Sequence, residues 1–294
     1  MPHVCSHTIA LFDNRLQQRQ LPRYPSIRVA PYWYRALALN QWHADISGDE
    51  ELRVGHPEPG YTSFSLGISA SSRGASWCKL RFLSHLIREM MAQDECSGTA
   101  PRWVLYLDSD AALISNRSFA KHLRELQVDA GNAHLVLTRE DSLPDRGFKT
   151  THRLNTGVMA VRASAWAAHF LEDWYAKSST TCSDLRAIMP GEQGCLERHL
   201  LDMGGAGLPE GTLHRVRILP MLPLNSPWGD AVSHLWSAAW SRRGTPHKHT
   251  GSQGRSNLDS RLAPNSLLLA RLGDGQRGHI QRRAPCTKCQ PFAA

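Results

Sequence analysis

The sequence predicts an α/β fold in which a mostly parallel sheet is flanked by helices. Two observations lead to this prediction. Short apolar runs, typical of strands that are buried on both faces, alternate with longer segments whose apolar residues recur every three or four positions. This alternation stops after Trp240, although the chain continues to residue 294. We therefore predict one folded domain at 1–240 and a separate tail at 241–294.

A strand and a long helix are the first elements that the pattern indicates. Residues Ile9 to Phe12 form a short apolar run that is typical of a strand. Between Trp77 and Met91 the apolar residues repeat at steps of three and four, which predicts one face of an amphipathic helix. The residues on this face are Trp77, Leu80, Leu83, Leu86, Ile87, Met90 and Met91.

Three strands are predicted in the central part of the chain. The first, Trp103 to Leu107, is continuously apolar and ends at the acidic triplet Asp108-Ser109-Asp110. The other two are His134 to Thr138 and Val158 to Arg162, the latter directly after Asn155-Thr156-Gly157. Ligands of such sheets bind at the carboxyl ends of the strands, so the acidic triplet lies where a ligand is expected.

Two helices are predicted after these strands. Ser164 is a suitable N-cap for the first, and the second begins near Glu192 after a turn at Pro190-Gly191. Apolar residues of the first helix again step by three and four, at Trp166, Phe170, Leu171, Trp174 and Tyr175. The order of strands and helices is therefore that of a layered α/β protein.

The positive charge of the chain is concentrated in its tail. The formal net charge is +8, from 34 Lys and Arg against 26 Asp and Glu. Residues 241–294 hold ten basic and two acidic residues, which leaves 24 of each sign in residues 1–240. A nucleic-acid-binding domain is expected to carry a basic stripe on its folded part, so nucleic-acid binding is not predicted. The tail composition predicts disorder, and its charge is compatible with a tether to an anionic surface.

The cysteines and the N-terminus say little about the compartment. The seven cysteines are scattered without the spacing of a disulfide-rich domain. Cys286 and Cys289 have the spacing of half a zinc site, but two further ligands do not follow, so we interpret them as ordinary tail cysteines. The N-terminal residues have neither the apolar segment of a membrane anchor nor that of a signal peptide, so the chain as written is expected to be soluble.

The acidic pair Asp108 and Asp110 carries the clearest chemical prediction. Two carboxylates at the end of a buried strand repel each other, and a hard divalent cation removes this conflict. Mg²⁺ and Mn²⁺ bind one or two protein carboxylates together with substrate phosphates, so a nucleoside diphosphate is an expected ligand. The alternative without a metal is that Asp108 caps a turn and Asp110 faces solvent.

A phosphatase is a second interpretation of the same acidic pair. Phosphatases of the haloacid dehalogenase type also have Asp-x-Asp after an apolar strand, with Thr or Val two positions after the second Asp. Ala112 occupies that position here, and the downstream Lys and acidic pair of those enzymes have no clear counterpart. This interpretation stays open as the less favoured one.

Further segments between residues 5 and 240 occur in a characteristic order. They are Trp77-Cys78-Lys79-Leu80, Trp103 to Ala111, Leu154-Asn155-Thr156-Gly157 followed by Val161 to Trp166 and Phe170 to Trp174, Gly191-Glu192-Gln193, Leu224-Asn225-Ser226, and His234. In order and spacing they resemble glycosyltransferase family 34, the galactosyl, mannosyl and xylosyl transferases of Golgi type. The resemblance implies a GT-A fold with a Rossmann-like mixed sheet, and transfer of a hexose or pentose with retention of configuration.

The resemblance also implies roles for individual residues. Asp108 and Asp110 would bind Mn²⁺ or Mg²⁺ together with His234, and Glu192 and Gln193 would be the catalytic pair beside the reacting sugar. The donor-binding residues that it implies are Lys79, Asp108, Ser109, Asp110, Asn155 and Gly157. The implied partners are a UDP-sugar or GDP-mannose and a glycan or glycoprotein acceptor, with a homo-oligomer left open. The implied location is the Golgi lumen or membrane, although the chain as written contains no anchor and a cytoplasmic location stays open.

Each of these residues also has an ordinary structural interpretation. Lys79 is then a solvated lysine at the start of a helix, and Asn155-Thr156-Gly157 is a turn between strands. Glu192 is favoured in the first turn of a helix by the helix dipole alone, and His234 is a packed or surface histidine. At the level of the whole chain, the alternative is a carbohydrate- or nucleotide-binding relative that lacks catalysis.

Overall fold

The computed structural model describes residues 7–12, 32–47, 50–55, 75–92, 101–115, 117–126, 132–140, 153–187, 190–221, 224 and 231–234. The predicted tail at 241–294, with Cys286 and Cys289, lies outside these residues, as does Asn225. The domain boundary at residue 240 therefore stays a prediction.

The described residues contain eight strands in two sheets. The strands are β1 (His7–Phe12), β2 (Glu50–Gly55), β3 (Trp103–Asp108), β4 (Ala111–Leu113), β5 (Leu135–Arg139), β6 (Leu154–Arg162), β7 (Val216–Leu219) and β8 (Val232–His234). Six of them form the main sheet in the order β2-β1-β3-β6-β5-β7, and β4 pairs with β8 in a small second sheet.

The main sheet is mixed. β1 is parallel to β2 and to β3, and β5 is parallel to β7, whereas β6 runs antiparallel to both β3 and β5. Three of the five strand pairs are thus parallel, which confirms the predicted mixed and mostly parallel sheet. The predicted strands at Ile9, Trp103, His134 and Val158 are confirmed as β1, β3, β5 and β6.

Helices cover both faces of this sheet. They are α1 (Tyr32–Ser47), α2 (Ala75–Ala92), α3 (Phe119–Glu125), α4 (Ala165–Lys177), α5 (Gly191–Glu197) and the single turn α6 (Thr212–Arg215). Buried residues of α2, α4 and α5 share one hydrophobic core, and those of α1 and α3 share the other. The fold is therefore a three-layer α/β arrangement, as predicted.

Strand β3 contributes to both cores because successive side chains of a strand point to opposite faces. Trp103, Leu105 and Leu107 lie in the core with α1 and α3, and Val104 and Tyr106 lie in the core with α2 and α4. All five side chains are buried. Asp108, at the carboxyl end of the strand, is the next residue on the same face as Tyr106.

The predicted helices α2 and α4 pack directly against each other. Ser164 caps α4, since its side chain accepts a hydrogen bond from Ala167 N at 3.2 Å. Between the helices, Glu172 accepts hydrogen bonds from Ser84 Oγ at 2.8 Å and from Arg88 Nε at 2.9 Å and Nη2 at 2.7 Å. Their apolar faces meet the sheet, which explains why the sequence periodicity predicted both helices correctly.

The structure corrects the interpretation of Asn155-Thr156-Gly157 as a turn. Strand β6 begins at Leu154, so the three residues lie inside it, and Asn155 pairs with Thr138 of β5. Asn and Gly are poor strand formers, but the pairing of Asn155 with β5, and of Val158 onwards with β3, overrides this local preference. The three residues are consequently held at the edge where β3 ends.

Two elements of the N-terminal part were not predicted. Strand β2 is short and charged, and α1 carries the polar residues Asn40 and His43 at fully buried positions. Buried polar residues interrupt the apolar repeat that identifies a helix in a sequence. Among the helices of the described residues, none combines the length and the apolar character needed to cross a membrane.

Candidate functional site

Three potential metal ligands come together at the carboxyl end of β3. Ligand atoms of Asp108, Asp110 and His234 all lie within 4.8 Å of one another. His234 Nε2 is 3.2 Å from Asp110 Oδ1, and the two side chains are 4% and 17% exposed. The three residues that the sequence resemblance implied as metal ligands are therefore adjacent, although 124 positions separate Asp110 from His234.

The small sheet accounts for this proximity. Asp108 ends β3, and Ser109 and Asp110 form the turn that leads into β4. β4 pairs antiparallel with β8, and this register places His234 opposite Ala111, the residue after Asp110. Backbone pairing thus brings the imidazole to the acidic turn. The interpretations of His234 as a surface residue and of Asp110 as a solvent-facing residue are therefore wrong.

Gly157 provides the room that these ligands occupy. A Cβ atom on Gly157 would lie 2.3 Å from His234 Cε1, 2.9 Å from His234 Nε2 and 2.7 Å from Asp108 Oδ2. Cβ atoms do not approach other atoms so closely, so a larger residue here would displace both ligands. Gly157 is therefore part of the wall of the cluster, and its lack of a side chain is a steric requirement.

The electrostatics of the cluster favour a positive charge at its centre. Burial lowers the pKa of His234, but the negative charges of Asp110 and Asp108, and the hydrogen bond to Asp110, outweigh burial and raise it above its usual value. A proton on the imidazole therefore reduces the repulsion between the two carboxylates. A bound metal would take over this charge from the imidazole proton.

The chemistry of the three side chains fits a divalent transition metal. Carboxylate oxygens suit Mg²⁺ and Mn²⁺, and an imidazole nitrogen suits Mn²⁺ better than Mg²⁺. Three protein ligands leave further coordination positions for water or for phosphate oxygens. Asp108, Asp110 and His234 could therefore bind a cation that also binds a phosphate-containing ligand.

Lys79 lies next to the cluster but is buried. It belongs to the first turns of α2 and is only 2% exposed, so the interpretation as a solvated lysine is wrong. Its Nζ atom is 2.9 Å from Glu192 Oε1 and 3.7 Å from Asp108 Oδ1, and it lies 5.0 Å from the centre of the Tyr106 ring. Burial lowers the pKa of Lys79, but the charges of Asp108 and Glu192 outweigh this and raise it, so Lys79 stays charged.

Thr156 joins Lys79 to the predicted catalytic pair. Lys79 Nζ donates to the carbonyl oxygen of Thr156 at 3.0 Å and lies 3.2 Å from its Oγ1. The Thr156 hydroxyl lies 3.1 Å from Glu192 Oε1 and 3.3 Å from Gln193 Oε1, and Thr156 N donates to Gln193 Oε1 at 3.0 Å. Four polar side chains thus form one buried network next to the candidate metal ligands.

Glu192 and Gln193 begin α5 and face this network. They are 0% and 3% exposed, so helix-dipole stabilisation alone does not account for their placement. Glu192 Oε2 is buried and has no hydrogen-bond partner in the described part of the chain, whereas Oε1 accepts from Lys79 and Thr156. The carbonyl of Glu192 accepts a hydrogen bond from Trp174 Nε1 at 2.9 Å, which ties the start of α5 to α4.

A further acidic residue, Glu140, lies near the cluster. It follows β5 directly, and its Oε2 accepts a hydrogen bond from Asn155 Nδ2 at 3.2 Å. Asn155 Oδ1 accepts a hydrogen bond from Gly157 N at 2.7 Å, so the side-chain amide of Asn155 also stabilises the backbone beside the cluster. The charge of Glu140 contributes to the raised pKa of His234.

All the residues that the sequence analysis named for a site thus lie in one region, around the end of β3. Four further residues of this region were missed: Glu140 and Thr156, Tyr106, whose hydroxyl donates a hydrogen bond to Asp108, and Asn40, whose amide bonds to the backbone of β4. The spacing of two between Tyr106 and Asp108 was a usable signal, because it places both side chains on one face of a strand. Asn40 and Glu140 reach the region only through the tertiary fold, which leaves no local signal.

A disulfide fixes the loop that precedes α5. Cys182 is bonded to Cys195, which lies in α5 two residues after Gln193. His199 lies beside the two sulfurs, and the three residues are buried. Since the sulfurs are joined to each other, they are not thiolate ligands for a metal. The scattered cysteine spacing gave no indication of this bond.

Comparisons with known proteins bear on the fold. No protein-family model matches this sequence, and no curated protein sequence matches it. A glycosyltransferase involved in the glycosylation of the major capsid of PBCV-1 has a similar structure, with a TM-score of 0.50 and 12% identity, over 81% of this chain and 97% of that chain. Mouse xyloside xylosyltransferase 1, apo form, gives a TM-score of 0.40 and 11% identity, over 80% of this chain and 98% of that chain. The first similarity shows that the chain has the fold of a glycosyltransferase, without distinguishing family 34 from other families.

Proposed function

We propose that this protein is a metal-dependent glycosyltransferase that transfers a hexose or pentose from a nucleoside-diphosphate sugar. The observation that carries the proposal is the cluster of Asp108, Asp110 and His234 at the carboxyl end of β3. It occupies the place in the sheet where ligands of α/β proteins bind. The glycosyltransferase fold and the sequence resemblance to family 34 support the same chemistry.

In this proposal Asp108, Asp110 and His234 hold Mn²⁺ or Mg²⁺ against the diphosphate of a UDP-sugar or GDP-mannose. A cation bound there would stabilise the negative charge that develops on the diphosphate when the sugar–phosphate bond breaks. Ser109 belongs to the same turn and contributes to donor binding. The charged Lys79, 3.7 Å from Asp108, adds positive potential beneath the site.

The sugar-facing residues of the proposal are Asn155, Gly157, Glu192 and Gln193. Asn155 can donate to and accept from sugar hydroxyls, and Gly157 allows a close approach to the backbone. Glu192 and Gln193 would stabilise the positive charge that develops on the sugar carbon. Retention of configuration, a glycan or glycoprotein acceptor, a Golgi lumen or membrane location and assembly into homo-oligomers complete the proposal.

One observation favours a second candidate function, a nucleotide-sugar-binding protein that does not catalyse transfer. Glu192 is completely buried, and its Oε1 is engaged by Lys79 and Thr156. A carboxylate held in this way does not contact a sugar unless α5 moves. Binding of a donor without any release of sugar would support this second function.

A donor screen separates these possibilities. UDP-galactose, UDP-glucose, UDP-xylose and GDP-mannose are each incubated with the protein and Mn²⁺, and the released nucleoside diphosphate is measured. We expect release with one donor, and loss of release with EDTA or in Asp110→Ala. Release that survives Asp110→Ala, or an absence of release with all four donors, would contradict the proposal. Hydrolysis of a simple phosphate monoester in the same assay would instead favour the phosphatase interpretation.

A further inference from the structure

The two carboxylate oxygens of Asp108 have different surroundings. Oδ1 accepts a hydrogen bond from the Tyr106 hydroxyl at 2.5 Å and lies 3.7 Å from Lys79 Nζ. Oδ2 is the oxygen close to Gly157, since a Cβ on that residue would meet Oδ2 at 2.7 Å and His234 Nε2 at 2.9 Å. One oxygen therefore faces the Tyr106 side of the strand, and the other faces His234.

The position of the Tyr106 hydroxyl is fixed by packing. Tyr106 lies two residues before Asp108 on the same face of β3, and its ring is 1% exposed in the core shared with α2 and α4. Lys79 Nζ lies 5.0 Å from the ring centre. A buried ring in this position cannot rotate away, so the hydroxyl is a preorganised donor to Asp108.

We propose that Tyr106 is a positioning residue that turns Asp108 so that Oδ2, and not Oδ1, faces the bound cation. This inference rests on the proposed function, because it concerns the metal site of the proposed transferase. A carboxylate accepts hydrogen bonds at both oxygens, and a phenol can donate one. Because Oδ1 is engaged by Tyr106, Oδ2 is the oxygen that Asp108 would offer to a cation.

The consequence of losing this contact is a less well-oriented ligand. Asp108 is 37% exposed, so without the phenol its carboxylate can rotate towards solvent or towards Lys79. Groups that orient metal ligands by hydrogen bonds typically change metal affinity by about 10-fold to 100-fold when they are removed. The effect belongs to the metal site rather than to the core, because Phe fills the same space as Tyr.

The test compares Tyr106→Phe with Tyr175→Phe in the full chain. Tyr175 is a partly buried tyrosine of α4 whose ring lies 5.5 Å from the Arg81 guanidinium, and it is not one of the residues of the cluster. Mn²⁺ is titrated into each protein and free Mn²⁺ is measured by electron paramagnetic resonance. The metal-free unfolding temperature of each protein is measured in parallel, because a purely structural role would change it and leave the metal affinity unchanged.

We expect Tyr106→Phe to weaken Mn²⁺ binding by at least about 10-fold, and Tyr175→Phe to leave it unchanged. Wild-type Mn²⁺ affinity in Tyr106→Phe, with or without a lower unfolding temperature, would overturn the inference. If Tyr106→Phe binds Mn²⁺ normally but Asp110→Ala does not bind it, the proposed metal site is retained and only the role of Tyr106 is refuted. An unsubstituted protein that does not bind Mn²⁺ would contradict both.

Discussion

The arrangement of the candidate site depends on close contacts made by single residues. Gly157 is the clearest case, because a methyl group there would overlap with His234 and Asp108. Lys79 is another, since its charge lies between Glu192 and Asp108 with almost no exposure to water. Both positions lead to predictions that a single substitution can test.

Gly157→Ala is expected to weaken Mn²⁺ binding by at least about 10-fold and to reduce sugar release accordingly, because two ligands must move. Isothermal titration with Mn²⁺ measures the affinity. Gly194→Ala is the matched control, since a Cβ there meets only Leu185 Cδ1 at 3.4 Å, an ordinary contact. Equal Mn²⁺ affinities for the two variants would show that Gly157 is not part of the metal site.

Lys79→Met is expected to lower the free energy of unfolding by about 3–5 kcal/mol, because it leaves the buried Glu192 carboxylate without its partner. Adding Glu192→Gln to Lys79→Met should recover part of this loss, since the uncompensated charge is removed. Urea denaturation gives the free energies.

Lys177→Met is the control for Lys79→Met. Lys177 is also buried, but the side chain of its partner Asp173 is 32% exposed, whereas that of Glu192 is 0% exposed, so the carboxylate that remains is less deeply buried. Its loss should therefore be smaller, about 1 kcal/mol. A loss in Lys79→Met no greater than in Lys177→Met would contradict the account of the buried pair.

At the scale of elements, α1 supports the turn that carries Asp110. Asn40 of α1 is fully buried, and its amide spans β4: Nδ2 donates to the carbonyl oxygen of Ala111 at 3.1 Å, and Oδ1 accepts from Leu113 N at 2.9 Å. β8 pairs with the same strand and brings His234. β4 is therefore held by α1 and by β8, and both contacts position candidate metal ligands.

Asn40→Ala is expected to cost about 1–3 kcal/mol of stability, because two buried backbone groups of β4 lose their partner. It should also weaken Mn²⁺ binding, because Asp110 directly precedes β4. Ser84→Ala is the control, since Ser84 is a buried hydrogen-bonding residue between α2 and α4, away from β4. Urea denaturation and Mn²⁺ titration are measured on both. If both variants lose stability and neither loses Mn²⁺ affinity, α1 has no role in the site.

Elements with a strong local pattern could be predicted from the sequence, and elements without one could not. α2 and α4 have apolar faces that repeat at helical spacing, and β3 is a continuous apolar run before an acidic triplet. α1 and β2 are stabilised partly by a buried polar group of residues, in which His43 Nε2 lies 2.9 Å from Glu50 Oε2 and Glu50 accepts a hydrogen bond from Phe119 N. Such contacts join distant parts of the chain and leave no periodic signal.

For the site, the sequence could predict residues but not their arrangement. Asp108 and Asp110 follow from the chemistry of an acidic pair after a strand, and His234 was named only through the family resemblance. The burial of Lys79 and Glu192 could not be predicted, because a lysine near a helix start and a glutamate in a first turn are ordinary surface residues. Lys79 and Glu192 pair only because α2 and α5 both contact Thr156 of β6 in the folded chain.

At the scale of the whole molecule, a three-layer α/β fold brings residues of α1, α2, β6, α5 and β8, and Glu140 after β5, to the end of β3. The fold is shared with a glycosyltransferase at 12% identity, so sequence similarity contributes little to that comparison. The proposed activity therefore depends on the local geometry of Asp108, Asp110 and His234 more than on the fold. A test of the account should examine this geometry with its ligand present.

Anomalous diffraction from crystals grown with Mn²⁺ and UDP would show whether Asp108, Asp110 and His234 bind a cation together with a diphosphate. We expect one strong Mn²⁺ peak within coordination distance of the three residues, with the UDP diphosphate on the same ion. We further expect that Asp108 reaches the ion through Oδ2 while Tyr106 remains bonded to Oδ1. UDP bound elsewhere, or a diphosphate at this edge of the sheet without a metal ion between it and the acidic pair, would contradict the account.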